Sequence, residues 1–370
     1  MENLSRRTFL GKIGVSASVI AVAKPPLKNV SKVVYEGEKL NIALCGLGRY
    51  AGYLADGLEI SQYCRLAGIV TGTPTKAEDW KKRYNIPQKN IYNYQNFDEI
   101  VNNKDIDLVY VVLPNSMHKE FVIRAAKAGK HVIVEKPMAI TAKDCQEMID
   151  ACKKAGVQLA VGYRLHFEPY HKELKRLGQE KVFGQVRLIE VSLGYRLGGE
   201  NPKDWHLVKE FSGGGPLMNL GVYCVQSSRY VLGEEPISVS AQFAPVTNKT
   251  LFSEVEESIT WQLVFPSGAV CTSTSSYNCG IDRFFAAADD GFFELSPAVS
   301  YGPFKGRTSK GELDFPTINQ QTTQMDEIGK VLIENKQLPT HISGEEGLKD
   351  MKILEAIYEA ANTGKKVTIN

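Results

Sequence analysis

The sequence predicts two domains of different class: a doubly wound α/β domain on a parallel sheet, then an α+β domain on a mostly antiparallel open sheet. Three observations predict it. Between Leu40 and Gly162, short apolar runs alternate with helical stretches, the pattern of a parallel sheet covered on both faces. The first run, L-N-I-A-L-C (40–45), leads straight into Gly46-Leu47-Gly48-Arg49-Tyr50-Ala51. Beyond Tyr163 the strand-like segments follow one another with little helix between. A chain of 370 residues is long enough for two such cores.

Ser5-Arg6-Arg7-Thr8-Phe9-Leu10-Gly11-Lys12 carries a twin arginine ahead of the mildly apolar Ile13 to Ala23, which closes in Ala21-Val22-Ala23. That order is similar to a twin-arginine export signal, and residues 1–23 are set apart from the fold. Residues 24–39 read as an extended arm, 40–162 as the dinucleotide-binding domain and 163–370 as the substrate-binding and oligomerisation sheet domain. The net charge of +2 gives no electrostatic footprint for nucleic acid. No apolar run reaches the roughly 18 residues of a membrane span. The cysteines at 45, 64, 145, 152, 224, 271 and 279 are scattered without C-x-x-C spacing and read as buried thiols. No His, Cys and carboxylate group has ligand spacing, so no metal is expected.

In the first domain, G-x-G-x-x-A stands between a strand and a helix, the context of a Rossmann fingerprint. Gly46 permits the tight turn, Gly48 lets a pyrophosphate approach the backbone, and Ala51 lets helix and strand pack closely. The helix start supplies amides and dipole to the phosphates. The second strand, Leu66–Thr71, ends in Val70-Thr71-Gly72-Thr73-Pro74-Thr75-Lys76, where an NAD enzyme carries a carboxylate for the ribose. Here hydroxyls and an ammonium stand instead, which suits a 2′-phosphate. NADP is favoured over NAD, held by Arg49, Thr71, Thr73 and Lys76.

Ile106–Leu113 is a buried strand followed by Pro114-Asn115-Ser116-Met117-His118 and a helix over 118–128. His131–Pro137 is the next strand, V-I-V, ending abruptly in Glu135-Lys136-Pro137. Charged groups at the carboxyl end of a parallel strand face the cleft, and Pro137 fixes the backbone there, through a cis or a trans bond. Thr141 with Asp144 forms a capping box, and Gln158–Gly162 closes the alternation.

In the second domain, strands are expected over 186–195, 237–243, 257–265, 269–275, 284–288 and 292–295, with a hairpin turn at Pro266-Ser267-Gly268. Its main helices are expected over 210–232 and 344–361, the latter with Leu348, Met351, Leu354, Ile357 and Tyr358 on one face. His171 and His341 have no visible partners and read as surface residues.

Four motifs in order, G-L-G-R-Y-A, L-P-N-S-M-H, V-E-K-P and Gly213-Gly214-Gly215-Pro216-Leu217-Met218-Asn219-Leu220-Gly221-Val222-Tyr223, resemble the glucose–fructose oxidoreductase/inositol dehydrogenase (Gfo/Idh/MocA) family, from about residue 40 onward. Tyr163–Pro169, Trp205–Gly215 and the export signal point to its glucose–fructose oxidoreductase branch. The resemblance implies that Lys136 lies beside the nicotinamide and the substrate hydroxyl. It places Gly46, Leu47, Gly48, Arg49, Tyr50, Leu113, Pro114, Asn115, His118 and Glu135 around the cofactor. It places Arg164, His166, Trp205, His206, Asn219 and Tyr223 at the sugar, with Lys136, Tyr223 and Asn219 as the catalytic set.

Many members carry Asp at the position of Asn219 and His at that of Tyr223. An amide can bond a sugar hydroxyl but cannot take up a proton. An unperturbed phenol titrates near ~10, and Lys136 nearby favours its ionised form. The expected function is therefore a periplasmic NADP-containing sugar oxidoreductase and homo-oligomer, with a tightly held nucleotide reoxidised in place by a second sugar. The alternatives are a nucleotide-dependent glycoside hydrolase of the same superfamily and a sugar-binding protein whose chemistry has lapsed.

Overall fold

The computed structural model describes residues 35–197 and 201–369. Residues 1–23, expected to form an export signal, and most of the expected arm lie outside that range. Apolar runs long enough to bury both faces make the first sheet. β1 (Leu40–Cys45), β2 (Cys64–Val70), β3 (Ile91–Tyr92), β4 (Leu108–Val111), β5 (His131–Val134) and β6 (Leu159–Val161) form six strands in the order β3-β2-β1-β4-β5-β6, and every pairing within it is parallel. All six side chains of β1 are buried. The strand order reverses between β1 and β4, so the carboxyl ends of the central strands open onto a crevice.

Helices α1 (Arg49–Glu59), α2 (Pro74–Tyr84), α3 (His118–Lys127) and α4 (Ala142–Ala155) connect the strands. The capping box forms: the Asp144 amide donates to Thr141 Oγ1 at 3.0 Å, and the Thr141 hydroxyl donates to Asp144 Oδ2 at 2.7 Å.

The chain then passes through α5 (Pro169–Gln179) into β7 (Val186–Gly194). A helix over the whole of 210–232 does not form. A single helical turn, Lys209–Ser212, ends at Gly213 (φ +79°), and the three glycines interrupt it. A π-helical turn, Leu217–Gly221, then runs into α6 (Val222–Leu232). β8 (Ser238–Phe243), β9 (Ser258–Val264), β10 (Val270–Ser276), β11 (Ile281–Ala288), β12 (Gly291–Leu295), β13 (Gly306–Thr308) and β14 (Gly311–Leu313) complete the second sheet with β7. The closing elements are α7 (Gln320–Ile333), α8 (Gly344–Thr363) and β15 (Val367–Thr368).

That sheet has nine strands in the order β14-β13-β12-β11-β7-β10-β9-β8-β15, and its one parallel pair is β7 with β10. The hairpin at Pro266-Ser267-Gly268 joins β9 to β10, with Gly268 at φ +83°. α6 packs on α5, α8 and β7. The guanidinium of Arg229 on α6 joins Asp350 and Glu346 of α8 at 2.5 and 2.7 Å, a buried network that Tyr163 completes by donating to Asp350 at 2.6 Å.

α5 and α7 were not expected, although Tyr170, Leu174 and Leu177 stand at helical spacing on the buried side of α5. α7 buries Gln320, Gln321 and Gln324 beside Met325, Ile328 and Leu332 and packs against α1, while α8 packs against α4. The C-terminal stretch thus returns to cover the first sheet's helices. Asp326 fixes it there, accepting from the Ser61 hydroxyl and the Gln62 and Tyr63 amides.

Candidate active site

The parallel sheet delivers most of the expected residues from the ends of its strands. After β1, Gly46 stands at φ +99°, and a Cβ there would strike the Val112 carbonyl, so only glycine fits. Gly48 is different: its Cβ would meet no atom of the described residues within 4 Å. Space therefore remains beside that backbone for a ligand. After β2, the Thr71 side chain is buried and its Oγ1 accepts from the Thr73 amide at 3.2 Å. Lys76 on α2 reaches back to the Leu47 carbonyl at 3.2 Å, which puts its ammonium at the glycine loop. Arg49 is exposed at the start of α1.

The loop after β4 is a brace. Asn115 Nδ2 donates to the Ser212 carbonyl at 2.8 Å, joining Leu113-Pro114-Asn115 to the segment that carries Trp205 and His206. His118 is wholly buried, with Nε2 at 2.8 Å from the Leu113 carbonyl and Nδ1 at 3.1 and 3.2 Å from those of Pro137 and Met138. Burial holds its imidazole down to about 4, so it stays neutral, and its single ring N–H donates either to the Leu113 carbonyl or to those of Pro137 and Met138.

After β5, the Lys136–Pro137 peptide is cis. Glu135 turns inward: its carboxylate accepts from the Tyr110 hydroxyl at 2.6 Å, and burial pushes it above the usual carboxylate range against that bond and the Lys136 charge. Lys136 turns toward the second domain. Its Nζ donates to the Asn219 carbonyl at 2.8 Å and approaches Asn219 Oδ1 at 3.3 Å, and it lies 4.6 Å from the Tyr223 ring centre. The π turn explains the first bond, because widening the helix disturbs the regular i→i−4 ladder and leaves carbonyls for other donors.

The G-G-G segment is held by packing. A Cβ on Gly214 would strike the Tyr358 hydroxyl, and one on Gly215 the Glu256 carbonyl. The Glu256 carboxylate accepts from the Gly215 and Leu217 amides at 3.0 Å each and from Tyr358 at 2.9 Å. These bonds seat the turn that presents Asn219 and Tyr223.

Asn219 Nδ2 meets two tyrosine hydroxyls, Tyr277 at 3.0 Å and Tyr195 at 3.3 Å. Neither residue was expected here. Each stands one place beyond the end of a strand of the parallel pair β7/β10, which sets their rings 5.5 Å apart. An aromatic directly after each of two strands was the available signal, and it acquires meaning only once those strands are neighbours.

Arg164, just after β6, is buried, and its guanidinium donates to the Ser300 carbonyl at 3.4 Å and also to the Val299 carbonyl and Gln320. It lies 5.3 Å from the Tyr223 ring centre and 4.5 Å from that of Tyr301. Tyr223 is thereby flanked by two cations. Arg164 Nε and the Tyr50 hydroxyl are buried without partners among the described residues, and Tyr50 is electrostatically close to Glu135, Arg164 and Tyr223. Unpaired donors beside Lys136 mark a polar crevice that a bound group would complete.

Trp205 and His206 stack at 3.8 Å between ring centres, and His206 Nδ1 is 2.6 Å from Asp204 Oδ1. His166 stands elsewhere. It is buried against Tyr163, Tyr230 and His341, two turns along α6 from Tyr223, and desolvation drives its imidazole well below the ordinary value. His171 is no surface residue: it is buried between Glu168 at 2.8 Å and the Ala298 carbonyl at 2.7 Å. His341 is half-buried, its ring parallel to that of His166 within 8°.

Comparison with known proteins gives a consistent result. Residues 40–163 match the oxidoreductase family with an NAD-binding Rossmann fold, and residues 171–294 match the Gfo/Idh/MocA C-terminal domain. The aldose–aldose oxidoreductase of Caulobacter crescentus, solved with glycerol, is 39% identical with a TM-score of 0.86 over 90% of this chain and 100% of that one. A D-xylose 1-dehydrogenase using NADP(+), from Haloarcula marismortui, is 26% identical over 90% of this chain and 93% of its own. The apo scyllo-inositol dehydrogenase of Lactobacillus casei shares the fold at 19% identity and a TM-score of 0.75, over 90% of this chain and 98% of that one.

Proposed function

This chain belongs to the Gfo/Idh/MocA oxidoreductase family, and on that premise we propose that it is an NADP-dependent oxidoreductase acting on a CH–OH group of a sugar. The observation that carries the reading is the position of Lys136. Its ammonium stands just past the carboxyl end of the parallel strand β5, held by Asn219 and set against Tyr223, while the glycine loop after β1 leaves space at Gly48. The likeness to an aldose–aldose oxidoreductase and to an NADP-using xylose dehydrogenase supports a sugar substrate.

The residues fit a nicotinamide nucleotide. Gly46 to Tyr50 would hold the pyrophosphate; Thr71, Thr73 and Lys76 would hold a 2′-phosphate; Leu113, Pro114 and Lys136 would border the nicotinamide end. Bound there, the nucleotide supplies the hydride acceptor. Lys136 donates to the substrate oxygen and orients it. Two of its contacts are committed to Asn219, which fixes the ammonium's direction and leaves one N–H for the substrate. Tyr223 enters the step as its phenolate beside the cations of Lys136 and Arg164 and becomes the neutral phenol as it takes the hydroxyl proton. Asn219 contributes position, its amide pinned by Tyr195 and Tyr277, and no proton, because an amide cannot take one up.

The twin arginine at Arg6-Arg7 supports export to the periplasm. An enzyme there must keep its nucleotide and reoxidise it in place, so a ping-pong exchange between two sugars follows, in a homodimer or homotetramer.

The test begins with the purified mature protein. Denaturation should release a nucleotide whose mass is that of NADP. Adding an aldose to the intact protein should raise the absorbance of reduced nicotinamide, and a second sugar should abolish it. Release of NAD would overturn the reading of residues 71–76. A bound nucleotide that no aldose or polyol reduces would overturn the oxidoreductase reading.

A further inference from the structure

We propose that Tyr195 is a specificity-determining residue of this site: its phenol donates a hydrogen bond to the sugar hydroxyl next to the one that is oxidised. The proposal deepens the oxidoreductase reading above and rests on it. It begins from the direction of one amide. Lys136 carries donors only, so the Asn219 atom that faces its Nζ at 3.3 Å is the carbonyl oxygen Oδ1. The Nδ2 group therefore faces the tyrosines, and its two N–H bonds go to Tyr277 at 3.0 Å and Tyr195 at 3.3 Å. Each phenol oxygen accepts there, and each keeps its own proton to give elsewhere. A carboxylate at position 219 would reverse this, drawing both protons to itself.

The two tyrosines differ in what can receive that proton. Tyr277 is 1% exposed, its ring stacked on Phe252 at 6.4 Å between centres. Tyr195 is 39% exposed, so a ligand can reach it. It is also firmly seated, as a recognition group must be. Its amide donates to the Ser276 carbonyl at 3.1 Å and the Leu197 amide to the Tyr277 carbonyl at 2.9 Å, so the pairing of β7 with β10 carries on past the strand ends. A Cβ on Gly194 would strike the Cys279 carbonyl, so the backbone just before Tyr195 is close-packed as well.

One amide separates the Tyr195 hydroxyl from Lys136 Nζ. Two donors on opposite ends of so small a group address neighbouring oxygens of one molecule. Lys136 takes the hydroxyl that loses its proton to Tyr223, and Tyr195 takes the hydroxyl on an adjoining carbon. In an aldose oxidised at C1 that neighbour is the C2 hydroxyl. The ligand class that this pair selects is therefore a vicinal diol, and a sugar deoxygenated beside the reacting carbon leaves the phenol without its acceptor. No bond is made or broken at Tyr195, which acts on the substrate by position alone.

The experiment measures the second-order rate constant for reduction of the bound nucleotide by the aldose that reduces it fastest and by the 2-deoxy form of that aldose. Wild type, Tyr195→Phe and Tyr277→Phe are compared. The two sugars differ in intrinsic reactivity, but that difference is common to all three proteins and cancels in the ratios. Tyr195→Phe should lose about tenfold more with the aldose than with its 2-deoxy form, the size of one neutral hydrogen bond. Tyr277→Phe removes the other anchor of the same amide, so it should slow both sugars by one factor and leave their ratio at the wild-type value. Equal losses with both sugars in Tyr195→Phe would make that residue a second anchor of Asn219 and overturn the proposal. So would an unchanged rate with the aldose. A ratio that Tyr277→Phe moves as far would assign the effect to Asn219 and overturn it too. Absence of reduction by any aldose in wild type would instead remove the oxidoreductase reading, and this proposal with it.

Discussion

Two glycine-rich segments build this site, and they use glycine for opposite reasons. At Gly46-Leu47-Gly48 the first glycine answers to the protein, since its φ of +99° and the Val112 carbonyl leave no place for a side chain. Gly48 answers to nothing among the described residues: φ is −82° and none of their atoms lies within 4 Å of its missing Cβ. At Gly213-Gly214-Gly215 every missing Cβ points at packed protein, namely Ile140, Tyr358 and Glu256. The first segment leaves space for a ligand, and the second uses close packing to seat a π turn. A glycine run by itself therefore does not identify a binding loop. The useful question is what occupies the space that a side chain would have filled.

The comparison can be broken at several points. Its largest consequence concerns Lys136, where the two segments meet. Lys136→Ala should lower reduction of bound nucleotide by about 10²–10⁴-fold with the circular dichroism spectrum unchanged; near-normal turnover would mean that the segments do not converge on the chemistry. Next, Gly215→Ala should destabilise the fold by about 1–3 kcal/mol, because the obstacle is backbone and cannot swing away. Thermal unfolding of the nucleotide-free protein reads that loss. Gly48→Ala is the counterpart. The same unfolding measurement should move by no more than about 0.5 kcal/mol, while nucleotide affinity, measured by calorimetry, falls by about tenfold or more. Equal destabilisation by the two alanines would erase the distinction. The smallest expected effect is at the far side of the first segment: Thr71→Asp should shift the ratio of NADP to NAD affinity by roughly tenfold toward NAD, the equivalent of about 1.4 kcal/mol of charge repulsion. An unchanged ratio would place the 2′-phosphate elsewhere.

Much of this architecture was written locally. L-N-I-A-L-C makes a strand because six consecutive residues can be buried on both faces, and it stops where Gly46 takes a positive φ. The Thr141–Asp144 box starts α4 with two bonds three residues apart. Six of the nine strands of the second sheet were legible, to within a few residues at their ends, while the short β13, β14 and β15 were not. Placing Lys136 at the carboxyl end of a parallel strand needed only the alternation of elements and the topology rule for such sheets. These features depend on neighbours in sequence, and a single chain displays them.

What tertiary structure decided lies between elements far apart in sequence. α7 was not legible, because glutamines fill half of its buried face and become core residues only when other groups meet them, as Gln324 meets Tyr110 at 2.7 Å. His171 reads as a surface residue until Glu168 and Ala298 close on both nitrogens. His166 was placed with the sugar by its motif, yet the ring lies two turns along α6 from Tyr223. Tyr195 and Tyr277 are 82 residues apart, and only the parallel pairing of β7 and β10 brings them to one amide. The sequence by itself determined which residue types stand at strand ends, where a cleft must open. Which of them share it was decided by long-range pairing and by the desolvation that follows, since hydrogen bonds and charges take their strength from burial that no local pattern records.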